Sequence, residues 1–212
     1  MLIELDAIEA RILGALVEKS ITTPEQYPLS FNALLNACNQ KTSRDPVMNL
    51  DIDALGRSVA TLIEKDLAER RSGSRVPKFL HHVDRLFDGG DPRVAGIVCV
   101  LLLRGPQTAG ELKARTDRMC TFANAGEVES LLQDLAARPD GPFIARLPKQ
   151  PGRKETRYRQ LFTGGAPDAP AAAVSAPAQP DRMSRLEQRV AALEQLCRSI
   201  QERLDGGEPS AG

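Results

Sequence analysis

Apolar residues recur every three to four positions near the start of the chain, at Leu5, Ile8, Ile12, Leu13, Leu16 and Val17, and so predict an amphipathic helix. Val94, Ile97, Val98, Leu101 and Leu102 repeat the rhythm later on. After each helix comes a polar or proline-bearing break and then a short helix. Ser30 is the predicted N-cap before Phe31, Leu34 and Leu35, and Thr108 the one before Leu112. A third helix follows in both copies, with buried stripes at Leu55, Val59, Leu62, Ile63 and Leu67 and at Val128, Leu131, Leu132 and Leu135. The closest match aligns Leu62-Ile63-Glu64-Lys65-Asp66-Leu67 with Leu131-Leu132-Gln133-Asp134-Leu135.

Each third helix runs into two extended segments around a turn. These are Leu67 to Arg71 and Lys78 to Val83 about Ser72-Gly73-Ser74, then Phe143 to Leu147 and Thr156 to Leu161 about Pro151-Gly152. Three helices and a β-hairpin predict a winged helix, the hairpin-bearing relative of the helix-turn-helix. The predicted fold class is therefore mainly α with small β-hairpin wings (α+β): two tandem winged helix-turn-helix domains, at 1–88 and 91–163, plus a C-terminal coiled-coil helix.

Residues 164–181 are dominated by Ala and Pro and predict a disordered linker. Beyond it Met183, Leu186, Val190, Leu193, Cys197, Ile200 and Leu204 alternate spacings of three and four, the seam of a coiled coil over 182–205. A homodimer through residues 183–204 is one expectation. A lone amphipathic helix, docked on its own chain or fraying, is the other. Residues 206–212 predict a disordered tail.

A length of 212 residues accommodates two small domains. No apolar run reaches the ~20 residues that span a bilayer, and acids stand at the N-terminus where a signal peptide carries basic residues. A cytoplasmic protein without a membrane partner is expected. Cys38, Cys99, Cys120 and Cys197 are scattered and read as reduced, mostly buried thiols. His81 and His82 are the only histidines, and as strand neighbours they point to opposite faces. With no phosphate loop, zinc-protease motif or nucleophile elbow, the chain is expected to be no enzyme, with no catalytic residues, metal or cofactor.

Charge is informative only locally, because 28 Lys and Arg balance 28 Asp and Glu. The opening helix carries Glu4, Asp6, Glu9 and Glu18 against Arg11 and Lys19, whereas both hairpins are basic. Arg70, Arg71, Arg75, Lys78 and Arg85 lie in and after the first, and Arg146, Lys149, Arg153, Lys154, Arg157 and Arg159 in the second. A wing lies beside the duplex backbone, so these cations suit phosphate contact; a solvated hairpin is the competing reading. The outward face of the first third helix is expected to show Asp53, Arg57, Thr61, Glu64 and Lys65, with Arg57 able to address guanine. The second shows Asn124, Glu127, Glu129, Ser130, Gln133 and Asp134, an acidic face unsuited to a major groove.

Between the second and third helices of the first copy runs Ala37-Cys38-Asn39-Gln40-Lys41-Thr42-Ser43-Arg44-Asp45-Pro46-Val47, more polar than a core or a turn requires. Together with Glu18-Lys19, the Thr22 to Ser30 run (TTPEQYPLS), and Leu147-Pro148 through Gly152 to Glu155, this segment resembles the YceH-like proteins of Gram-negative bacteria over residues 4–162. The resemblance implies two tandem winged-helix domains with a variable C-terminal tail. It implies no activity, since members are described as proteins of unknown function.

Asn39, Gln40, Lys41, Thr42, Arg44 and Asp45 enter the would-be recognition helix, where Asn and Gln suit adenine and Lys and Arg suit guanine or phosphate. A self-satisfied loop is the alternative, with Asp45 pairing Arg44 or capping a turn ahead of Pro46, and Asn39 terminating the second helix. Two functions follow. One is a regulatory protein binding double-stranded DNA; the other is a protein-interaction scaffold with an unidentified protein partner and no nucleic acid.

Overall fold

The computed structural model describes residues 2–73, 75–87, 90–138, 142–148 and 155–164. The expected linker, coiled coil and tail lie outside the described residues, as do Lys149, Arg153 and Lys154. Each half of the described chain runs helix, strand, helix, helix, strand, strand. The first half contains α1 (Ala7–Thr22), β1 (Leu29–Ser30), α2 (Phe31–Cys38), α3 (Ile52–Glu64), β2 (Ala68–Arg71) and β3 (Lys78–His81). The second contains α4 (Pro92–Arg104), β4 (Gln107–Thr108), α5 (Ala109–Thr116), α6 (Ala125–Ala136), β5 (Ile144–Arg146) and β6 (Arg157–Gln160). This is a mixed α+β protein with six α-helices among the described residues.

Short polar side chains set the helix starts. Asp6 accepts from the Ile8 and Glu9 amides while Glu9 accepts from the Asp6 amide, a capping box that opens α1. Ser30 caps α2 and Thr108 caps α5, the latter with Glu111 completing the box. Asp51 and Asn124 occupy the same place ahead of α3 and α6. From these caps, Leu55, Val59 and Leu62 correspond to Val128, Leu132 and Leu135, all of them buried. The expected match of Leu62-Ile63 to Leu131-Leu132 is thus off by one helical turn: Leu62 pairs with Leu135, and Ile63 is exposed.

Each hairpin gains a third strand too short to leave a period in the sequence. The sheets are antiparallel, ordered β1-β3-β2 and β4-β6-β5, with Leu29 opposite Phe79 and Gln107 opposite Tyr158. β1 and β4 tie the start of the second helix of each half to its hairpin.

The two halves pack through their first helices. An added Cβ at Gly14 of α1 would stand 2.9 Å from two side-chain carbons of Leu103 on α4, so any larger residue would force Leu103 to shift. The Cys99 thiol donates to the Gly14 carbonyl at 3.3 Å, and the Leu5 amide donates to the Phe162 carbonyl at 2.7 Å. Ile12, Leu13, Leu16, Ile97, Val98 and Leu101 belong to one buried apolar cluster at this seam, and all described residues fall in one compact unit. No described helix is long and apolar enough to cross a membrane.

Candidate functional site

The polar run after α2 is a strap held by two buried arginines. Arg11, 1% exposed on α1, donates to the Cys38 carbonyl at 3.2 Å and the Pro46 carbonyl at 2.6 Å. Burial and the neighbouring Arg44 charge both lower its pKa, yet its backbone acceptors hold both ends of the strap. Arg44 is 5% exposed and donates to both Glu18 oxygens, at 3.1 and 2.7 Å, and to the Ala37 and Ser43 carbonyls. Burial pushes the Glu18 carboxyl up, but hydrogen bonding and charge from Arg44, aided by Lys19, bring it below its ordinary value. Asn39 caps the end of α2 and pairs through its side chain with both the amide and the carbonyl of Leu50. The Asp45 amide donates to the Leu103 carbonyl of α4, which fastens the strap to the second half as well.

These contacts remove Arg44 and Asn39 from the candidate contact set. Arg44 spends four donors inside the fold and its side chain has no exposed area, so it cannot address a base or phosphate. Its carboxylate partner is Glu18, brought close by the fold, and not Asp45 as sequence proximity suggested. What the strap shows to solvent is Lys41, Thr42, Asp45, Pro46 and Val47, with Gln40 half-buried.

On α3 the exposed side chains are Ile52, Asp53, Arg57, Ala60, Ile63 and Glu64. Lys65 turns back instead, donating to both Glu9 oxygens and to the Glu4 carbonyl, which explains how Glu9 can be 2% exposed. In the adjoining hairpin Arg70, Arg71 and Arg75 are exposed and Lys78 is half-buried. Arg71 lies 3.5 Å from Glu69, a surface pair of small energetic weight. Arg85 pairs with Asp66 behind the hairpin.

The second half is differently arranged. Arg157 donates to both Glu111 oxygens, at 3.1 and 2.9 Å, and so belongs to the cap of α5. Glu127 accepts from Arg93, and Glu129 accepts from the Tyr158 hydroxyl. Burial, with Glu129 adding to it, pushes that hydroxyl up to about 12. Two of the acids expected on an outward face are therefore engaged internally, leaving Ser130, Gln133 and Asp134 exposed on α6.

His81 and His82 do point apart. His81 meets Ser20 through Nε2 at 2.9 Å and accepts the Val83 amide at Nδ1, whereas His82 lies 3.3 Å from Glu69. Cys38, Cys99 and Cys120 are free thiols, and burial pushes Cys38 up to about 12 against the pull of Arg11 and Arg44. Among the described residues no group of three or more His, Cys, Asp or Glu side chains could hold a metal ion.

The DUF480 family, described as a protein of unknown function, matches residues 5–153, which take in the first half, the strap and the second half short of β6. The chain belongs to the DUF480 family. A UPF0502 protein of Citrifermentans bemidjiense is 50% identical over 192 residues, covering 88% of each chain. One from Vibrio campbellii is 46% identical over 200 residues, covering 90% of this chain and 92% of its own, and one from Aeromonas hydrophila is 43% identical over 211 residues, covering 94% and 96%. The resemblance carried by the Thr22 to Ser30 and Asn39 to Val47 runs is to this family of uncharacterised bacterial proteins. Sequence reasoning missed the inward roles of Arg11 and Glu18. The available signal was an arginine at the centre of an apolar helical stripe, between Ala10 and Ile12.

Proposed function

We propose that both halves are winged-helix modules and that the first binds double-stranded DNA, with the second bracing it. The observation that carries this reading is the joint exposure of Arg57 on α3 and of Arg70, Arg71 and Arg75 on the adjoining hairpin, beside a strap held by Arg11 and Arg44. A helix placed by its cap and strap can enter a major groove while hairpin cations meet the flanking phosphates. Lys41 and Thr42 stand on the strap and suit the backbone on the other side.

The asymmetry between the halves supports the division of labour. The places of Ile52, Asp53 and Arg57 are taken in α6 by Ala125, Gly126 and Ser130, which offer little to a base edge. On this reading the protein is a non-enzymatic cytoplasmic regulator, and the segment 183–204 pairs two copies on one duplex. The exposed acid Asp134 on α6 and the zero net charge favour a second reading, a protein scaffold, in which nucleic acid plays no part.

Fluorescence anisotropy of the full-length protein with the combined variant Arg70→Ala, Arg71→Ala, Arg75→Ala tests the division of roles. The log–log salt slope of duplex binding should shrink by about one per cation removed. An unchanged slope would take the first hairpin out of the interface.

A further inference from the structure

A cavity of about 320 Å³ opens between the start of α4 and the end of α6. Sites for small molecules run from ~300 to ~1,000 Å³, so this one suits a compact ligand. Phe87, Val94, Leu131 and Leu135 form its apolar lining, and Asp91, Asp134 and Arg138 are its charged members. Asp91 is already engaged, since it caps α4 and pairs with Arg93, whose other ion pair is with Glu127. Asp134 and Arg138 are not. Among the described residues neither side chain makes a hydrogen bond or an ion pair, with the other or with any neighbour. The Arg138 guanidinium rests 5.1 Å from the centroid of the Phe143 ring, which in turn packs against Phe87 and Phe162. A guanidinium seated on a ring keeps its N–H donors in its own plane, where a carboxylate can take two of them.

The first half shows which partner this arginine lacks. Counted from the N-caps Asp51 and Asn124, Arg138 holds the place of Lys65; counted from Asp6 and Asp91, Val94 holds the place of Glu9. Lys65 donates to both Glu9 oxygens, at 2.9 and 2.7 Å, and so ties the end of α3 to the start of α1. In the second half the cation is kept, but an aliphatic side chain that lines the cavity stands where the carboxylate was. We propose that a ligand supplies that carboxylate: a free α-amino acid with an aliphatic side chain of leucine size binds here. Its carboxylate pairs with Arg138, its ammonium with Asp134, and its side chain lies on Val94, Leu131 and Leu135. The charges select a zwitterion. A plain carboxylate would offer Asp134 nothing, and a plain amine would leave Arg138 unmatched. Both groups line the one cavity, so a single small molecule can reach them together.

The test is isothermal titration of the full-length protein with L-leucine, beside isocaproate and isopentylamine, which lack its ammonium and its carboxylate respectively. Leucine should bind saturably, and each analogue about tenfold more weakly, the loss expected for one charge-assisted contact. Arg138→Gln should weaken leucine binding about tenfold, and Asp134→Asn severalfold, because that carboxylate is the more exposed of the two groups. Val94→Glu, which returns an acid to the place that Glu9 holds in the first half, should abolish binding. Val94 is buried, so the thermal transition of this variant is compared with wild type, and Arg138→Gln decides the matter if Val94→Glu does not fold. No saturable binding of L-leucine at millimolar concentration would overturn the proposal. Isocaproate binding as tightly as leucine would overturn the role of Asp134 and with it the zwitterion. Leucine binding unchanged in Arg138→Gln would overturn the assignment to this cavity.

Discussion

Arg44 shows how a residue's type can mislead when its partner is distant in sequence. A guanidinium in a polar run reads as a surface group, but Glu18 lies on α1 and is brought close only by folding. Truncating one member of a buried pair strands the other without its counter-charge, a loss of about 3–5 kcal/mol. Arg44→Ala should therefore destabilise the protein by that amount in urea unfolding. Arg44→Met combined with Glu18→Leu should recover much of the loss, because neither charge is then buried alone. A near-neutral Arg44→Ala would mean that the strap does not depend on this pair.

His81 supplies a second prediction. Burial, with neighbouring His82 acting in the same direction and Asp84 against it, lowers its pKa from 6.5 to about 4. The unfolded chain then takes up a proton near pH 6.5 that the folded protein refuses until about pH 4. Stability should fall as pH is lowered through that window and be unaffected by this group outside it. The difference reaches roughly 3 kcal/mol at most, from about 1.4 kcal/mol per pKa unit. Urea midpoints of His81→Gln and wild type, followed from pH 7 to 4, should converge as the pH falls; parallel curves would show that His81 does not titrate between folded and unfolded states.

At the level of elements, the periods of the long helices and the caps of the short ones, Ser30 and Thr108, were legible in the sequence, and the caps and faces of the long helices less so. Asp6, Ser30, Asp51, Thr108 and Asn124 all precede helices, and short polar side chains there satisfy amides that have no partner within the helix. β1 and β4 were illegible because two residues carry no period, and their strand character comes from β3 and β6 alongside. The alignment of the third helices slipped by a turn because Leu and Ile recur at both spacings, and only the caps distinguish them. Lys65 is expected on the outward face of α3, but it reaches back to neutralise the buried carboxylate of Glu9.

Gly14 is the element-scale feature that the helical pattern alone conceals. It sits in the apolar stripe of α1, and its missing side chain lets α4 approach at Leu103. Gly14→Val adds three carbons where even one meets carbon at 2.9 Å, so overpacking should cost about 1–3 kcal/mol. Calorimetry should show a lower transition temperature for this variant. A rise, through the better helix propensity of a non-glycine residue, would contradict the close packing.

For the whole molecule, the strap joins the two halves. It spans the end of α2 and the start of α3, is clamped to α1 by Arg11 and Arg44, and is bonded to α4 through the Asp45 amide. The orientation of α3 is thereby fixed by both halves at once. The exposed remainder of the strap, α3 and the first hairpin form the surface proposed to meet a duplex. Its most direct test is fluorescence anisotropy of the full-length protein with random-sequence duplex DNA at low and physiological salt. Binding that weakens steeply as salt rises, as counterion release from several phosphate contacts demands, is the predicted result. No binding at low salt, or binding indifferent to salt, would contradict it.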